Sequence, residues 1–296
     1  MGEQFGVHRG NGGTAVVVLC DCAATCSLWL GRGAHAHRGI GDPAVTPTTS
    51  ADRNKIVVQN GATVTTIIGG EGKGATGNTV NIIDATVNRA VLGGNGTWAG
   101  QSTHAGDAVG NTVNIEGDSQ IIGDDDGITY FDEAMVSGGR AGYGKSANNN
   151  TVNITGAATI NRGRIEGATI NQGKEAKGNS VHITGAIVLD NGQEMDGAVS
   201  VSPDYESTLE GNHVVINNPD AKLRNITGAN ATKRDIHVGG KSTAIGNYVI
   251  LQNGQVESTT GSYMAAVSKN NYSIISGGTV IGDVQGGYAG SYPTLT

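Results

Sequence analysis

Short stretches of alternating polar and β-branched residues recur along most of the chain. Each opens on Asn, as in Asn78-Thr79-Val80-Asn81-Ile82, Asn111-Thr112-Val113-Asn114-Ile115 and Asn150-Thr151-Val152-Asn153-Ile154. Period-two alternation puts Val and Ile on one face of a strand and Thr and Asn on the other. Copies begin at Asn54, Asn78, Asn111, Asn150, Asn179, Asn212, Asn247 and Asn270. Their spacing runs from 23 residues (Asn247 to Asn270) to 39 (Asn111 to Asn150). After a corner comes a second apolar position: Val64, Val87, Ile121, Ile160, Leu223, Val256 or Val280. Some copies then show a third short strand, such as Ile281-Gly282-Asp283-Val284, before a Gly-Gly return.

A near-fixed unit with variable connections predicts a solenoid, because each unit buries its apolar face only against its neighbours. The expectation is an all-β protein, a parallel β-helix of about eight coils with three short strands and three corners per coil. At about 4.8 Å per coil the stack would be roughly 38 Å long. Val80, Ile82, Val113, Ile115, Val152, Ile154, Val181, Ile183, Val214 and Ile216 are the expected inward stacks. Asn has low strand propensity, so its regular return predicts an amide ladder from coil to coil.

Residues 54–296 form the repeat domain, and residues 1–53 differ from it. Thr14 to Leu30 is the most apolar stretch, and Ala34-His35-Ala36 follows with a small-x-small cleavage pattern. This leader resembles a secretory signal peptide ending at Ala36, followed by a disordered segment. The alternative is a misplaced start codon or a tag-like, disordered leader. All three cysteines, Cys20, Cys22 and Cys26, lie in it without a second ligand cluster, so no zinc site is expected.

Composition agrees with a thin aliphatic core: 4% aromatic and 15% charged residues, with 49 glycines placed at turns. The net charge of −7 speaks against a nucleic-acid partner. No uninterrupted apolar run of about 18 residues predicts a transmembrane helix.

The runs Gly77-Asn78-Thr79-Val80-Asn81-Ile82 and Ser276-Gly277-Gly278-Thr279-Val280-Ile281-Gly282-Asp283-Val284-Gln285-Gly286-Gly287-Tyr288-Ala289 resemble the repeats of β-helical passenger domains of bacterial autotransporters. The resemblance covers about residues 54 to 290. It implies export and presentation on, or release from, a Gram-negative cell surface, and an adhesin-like role toward a host-surface or matrix protein or a glycan. It also implies membrane attachment through a C-terminal barrel, whose alternating strands are not seen before Thr296. The chain is therefore expected to be a fragment of something longer or a truncated gene product.

Several motifs bear on chemistry. Gly139-Arg140-Ala141-Gly142-Tyr143-Gly144-Lys145-Ser146 matches the phosphate-binding loop pattern, yet the following residues open a strand rather than a helix, and other copies carry similar loops. Ala186-Ile187-Val188-Leu189-Asp190 imitates the accompanying acidic strand but fills the second-strand slot. No nucleotide and no cofactor are expected. His104, His182, His213 and His237 lack metal-ligand spacing, and His182 and His213 read as outward strand positions.

The longest copy carries an insert with Asp124, Asp125, Asp126, Tyr130, Phe131, Asp132 and Glu133. Residues 123–137 are expected to form a protruding binding loop, since carboxylates beside aromatic rings suit glycan or protein recognition. A calcium site, a carboxylate pair for cleaving glycosidic bonds and a solvated acidic loop are the other readings of the same cluster. Arg162, Arg164, Glu166, Asp190, Glu194 and Asp196 could align on one face as a carbohydrate-binding strip or as exposed solubilising charges. The leading functional expectation is a non-enzymatic surface protein, adhesive or a presenting stalk. The alternative is a carbohydrate-active β-helix enzyme, which needs carboxylates converging from adjacent coils.

Overall fold

A computed structural model describes residues 50–96, 106–122, 135–161, 164–190, 194–201, 205–233, 236–239 and 241–290, with the short N-terminal strands Gln4–Phe5, Val16–Leu19 and Ser27–Trp29. All regular structure among these residues is β-strand, and the repeats stack as a parallel β-helix of eight coils. The Asn-x-Val-x-Ile segments pair in parallel register, with Val80, Val113, Val152, Val181 and Val214 in one column. Ile82, Ile115, Ile154, Ile183 and Ile216 form the next column, and all ten side chains are buried as expected. Such a side chain contributes about 1.5–3 kcal/mol on burial, so the columns supply the main cohesion between coils.

The second sheet carries the expected apolar column through Val64, Val87, Ile121 and Ile160, and through Leu223, Val256 and Val280. The third sheet stacks Ile67, Val91, Val136, Ile165, Met195, Ile226 and Thr259. The coil differs from the expectation in having a fourth strand. Gly74–Thr76, Asp107–Val109, Ser146–Asn148, Glu175–Lys177, Thr208–Glu210 and Thr243–Ile245 belong to a separate eight-stranded parallel sheet. Each is three residues long with one buried central side chain, usually Ala. A strand this short has no periodicity to read.

Each fourth strand ends at a corner held in the left-handed region. The corner residue immediately precedes the ladder Asn and is Arg53, Gly77, Gly110, Asn149, Gly178, Gly211, Gly246 or Asn270. Glycine and, less readily, Asn accept that conformation. This corrects the last copy. Asn270 (φ 54°) is the corner, and Asn271 is the rung that accepts from Asn247. Two adjacent Asn residues suit both roles, so the one-residue shift is invisible to pattern alone.

The rungs form one buried ladder. Asn78 Oδ1 accepts from the Asn54 N–H and from its Nδ2, both at 2.9 Å. Asn111, Asn150, Asn179, Asn212, Asn247 and Asn271 repeat the arrangement. The second Nδ2 hydrogen goes to the carbonyl of an inward residue of the fourth sheet, such as Ala75 for Asn111 and Ala108 for Asn150. At the N-terminal end, Asn54 Oδ1 is buried without a donor.

The Gly-Gly pairs are also placed differently from the expectation. Gly93-Gly94 and Gly138-Gly139 lie within the third strand rather than in a return loop, and Gly69-Gly70 directly follows it. Gly69, Gly93, Gly138, Gly167, Gly197, Gly228 and Gly261 stack, and a Cβ on each would overlap the carbonyl oxygen of the next. A Cβ on Gly70, Gly94 or Gly139 would strike a ladder Asn. These glycines allow the backbone to close onto the ladder. At the N-terminal end, Val16–Leu19 and Ser27–Trp29 pair antiparallel with Lys55–Gln59 and Thr63–Ile68 of the first coil.

Candidate binding surface

The same alternation that sends Val and Ile inward presents two outward columns on the first sheet. In the early coils these hold Thr79, Thr112 and Thr151 beside Asn81, Asn114 and Asn153. The outer asparagines bond to one another, Asn114 to Asn81 at 2.8 Å and Asn153 to Asn114 at 2.9 Å. From Asn179 onward the chemistry changes. The first column continues as Ser180, His213, Tyr248 and Tyr272, and the second as His182, Val215, Ile250 and Ile274.

The rings make a continuous stack. His182 meets His213 edge-on with centroids 5.4 Å apart. His213 lies parallel to Tyr248 at 4.6 Å, and Tyr248 parallel to Tyr272 at 5.0 Å. Because the rings face each other along the coil axis, a partner meets their edges and polar tips. Beside them runs the aliphatic Val215–Ile250–Ile274 column, ending in an exposed Ile274. The strip thus offers aliphatic contact flanked by ring edges, hydroxyls and imidazoles.

Partial burial sets the electrostatics of this strip. It lowers the pKa of His182, assisted by the neighbouring His213. It also lowers that of His213, against an opposing hydrogen bond to the Gly211 carbonyl. The Tyr248 hydroxyl is pushed up by burial and then by Tyr272. His182 and His213 are half-buried outward residues, in agreement with their strand positions. Nothing in any single copy announced the strip, because its residues come from four coils.

A second feature lies on the outer face of the third sheet. Ile68, Leu92, Ser137, Glu166, Asp196, Thr227 and Thr260 occupy successive register positions there. Glu166 and Asp196 are therefore neighbours on adjacent coils, and the Thr169 hydroxyl donates to Glu166 Oε2. The alignment expected from the sequence exists for this pair, but both residues are buried rather than exposed on loops. Arg164 sits two residues earlier on the same strand and is partly buried. Arg162 lies outside the described residues, as do the side chains of Asp190 and Glu194.

The acidic aromatic insert, Asp124, Asp125, Asp126, Tyr130, Phe131, Asp132 and Glu133, also lies outside the described residues. Its expected end at residue 137 is corrected by the strand Met135–Ala141, in which Val136 is a buried core residue. The phosphate-loop-like run begins in that strand, turns through Gly144 at φ 66°, and enters the strand Ser146–Asn148. Strand–turn–strand geometry lacks the helix N-terminus that holds phosphate in nucleotide sites. Among the described residues no group of three or more His, Cys, Asp or Glu side chains is placed to hold a metal ion. No described helix is long and apolar enough to cross a membrane. Compared with protein-family models, curated proteins and solved structures, the chain matches none.

Proposed function

We propose that this protein is a non-enzymatic β-helical passenger, exposed on or secreted from a Gram-negative cell, whose rigid stack presents an adhesive surface to a matrix protein or glycan. The observation that carries this reading is the outward strip His213–Tyr248–Tyr272 beside Val215–Ile250–Ile274. Outward aliphatic and aromatic side chains on a stacked sheet form a flat, pre-organised contact surface, which lowers the ordering cost of binding. The resemblance of the repeats to autotransporter passengers supports the export route.

The test is binding of the full chain to arrays of matrix proteins and glycans. Tyr248→Ser combined with Ile250→Thr should abolish the signal while leaving the β-sheet circular dichroism intact. Removing residues 123–134 measures the contribution of the acidic aromatic insert separately. Absence of any binding partner for the unaltered chain would leave a presenting stalk as the better reading. Sequence encoding a membrane barrel downstream in the gene would establish the export route.

A second reading rests on one observation, the in-register carboxylates Glu166 and Asp196. Paired carboxylates on adjacent coils are what glycosidic bond cleavage requires. Their burial weighs against it, since a substrate must reach them. Release of reducing ends or unsaturated sugars from polysaccharides, lost in Glu166→Gln, would favour an enzyme over an adhesin.

A further inference from the structure

A coil in a solenoid touches only its neighbours, so the stack opens locally unless something spans several coils. All three cysteines lie between positions 20 and 26, so no disulfide can join coils of the repeat domain. One pair of tyrosines does span them. Tyr143 stands at the corner between Met135–Ala141 and Ser146–Asn148, and Tyr205 precedes Thr208–Glu210. Those two fourth-sheet strands are not neighbours, because Glu175–Lys177 lies between them. The tyrosines nevertheless meet across the intervening corner at Gln172, whose carbonyl accepts from the Gly144 N–H. Their ring centroids are 5.4 Å apart at 75°, and the Tyr205 hydroxyl donates to the Tyr143 hydroxyl at 3.4 Å. The rings therefore meet at their phenolic ends, where the carbons ortho to each hydroxyl lie. Tyr143 is 44% exposed, so a diffusing oxidant reaches it.

We propose that Tyr143 and Tyr205 are a site of oxidative cross-linking, joined as dityrosine by hydrogen peroxide acting through a peroxidase. Each phenol gives up one electron and one proton, and the two phenoxyl radicals couple through a carbon–carbon bond between ortho positions. The hydrogen on each newly bonded carbon moves to the phenoxyl oxygen, which restores both rings and both hydroxyls. The two electrons and two protons reduce one hydrogen peroxide to two waters. The other tyrosine pairs are arranged differently. Tyr248 and Tyr272 lie parallel within 1°, and Tyr263 and Tyr288 within 24°, each pair stacked face to face. Joining such rings edge to edge breaks the stack, whereas Tyr143 and Tyr205 already bring their phenolic ends together. The bond would link residues 62 apart in sequence and hold three successive coils. A link of that kind restrains the unfolded chain and keeps the middle coil from opening alone.

The proposal is independent of the adhesive reading, because neither tyrosine belongs to the strip of Tyr248 and Ile250. Treatment of the full chain with a haem peroxidase and hydrogen peroxide should give a monomer with dityrosine fluorescence. Its digest should contain a peptide pair joined through Tyr143 and Tyr205, lighter by two hydrogens than the separate peptides. The yield should exceed that from urea-unfolded chain by at least about tenfold, because the fold holds the partners together. Tyr143→Phe and Tyr205→Phe keep the ring and should each remove this product with unchanged β-sheet circular dichroism. In the cross-linked protein, hydrogen exchange in moderate urea should slow across residues 164–177 and stay unchanged across residues 55–68. Absence of the Tyr143–Tyr205 product, an equal yield from unfolded chain, or unchanged exchange in the middle coil would each overturn the proposal.

Discussion

The side-chain nitrogen of Asn111 donates to Asn150 Oδ1 at 2.8 Å, and the Asn111 backbone N–H reaches the same oxygen at 3.0 Å. One buried acceptor therefore satisfies two donors of the preceding coil. The Asn150 amide nitrogen meanwhile serves the Ala108 carbonyl and the next rung, Asn179. Asn150→Ala should strand both donors and the Ala108 carbonyl. At about 1–3 kcal/mol per unsatisfied buried group, a loss of roughly 3 kcal/mol or more is expected in urea unfolding. The outer-face Asn153→Ala, made as a control, should cost under about 1 kcal/mol, because water replaces its partner.

Gly167 sits beneath Gly197 in the glycine column, where a Cβ would overlap the Gly197 carbonyl oxygen. The obstructing atom is backbone and cannot rotate away. Gly167→Ala should destabilise by at least about 2 kcal/mol, although Ala ordinarily suits a strand better than Gly. Gly144→Ala tests a different effect. It has open space but φ 66°, so its cost should be backbone strain alone, about 1 kcal/mol.

Thr259 occupies the inward third-sheet column between Ile226 and Val284, and its buried hydroxyl has no hydrogen-bond partner. Valine has nearly the same shape without the polar atom. Thr259→Val should raise stability by about 1 kcal/mol, seen as a higher urea midpoint with an unchanged slope. A loss of stability would mean that the hydroxyl is satisfied in solution.

His182 and His213 have folded pKa values lowered chiefly by burial. The unfolded chain therefore takes up their protons first as pH falls through about 6.5. Their contribution to stability is fully present above that value and is lost as pH falls toward the lower folded values. Glu71 acts in the opposite sense. Burial raises its pKa more than its Asn95 hydrogen bond lowers it, so stability falls as pH rises from about 4.5 through the folded value. Urea midpoints should rise with pH through the histidine window, up to about pH 6.5. A double His182→Asn, His213→Asn variant should flatten that rise and leave the Glu71 effect in place.

The strand alternation was legible because the inward positions demand Val and Ile in every coil. The ladder was legible because a buried strand tolerates Asn only where its amide is fully bonded. Other features depend on neighbours far away in the sequence. The fourth strand reduces to one inward residue such as Ala108 or Ala147, too little to distinguish from a turn. Asn270 and Asn271 are chemically identical, and only the left-handed corner separates their roles. Glu166 and Asp196 read as surface charges because burial of an outward face depends on what flanks it, not on the strand's own pattern. His213, Tyr248 and Tyr272 are one surface only after coils of different length have been stacked.

Successive rungs are 24, 33, 39, 29, 33, 35 and 24 residues apart in the chain. In space each step is set by strand pairing, about 4.8 Å whatever the contour length between rungs. The stack therefore behaves as a ruler with fixed graduations, and any surface group has an axial address given by its coil number. An insertion at a corner lengthens the thread without moving a mark. Chemistry on the outer faces can accordingly be re-spaced only in whole coils, so a partner reading two points on this surface measures distance in integers.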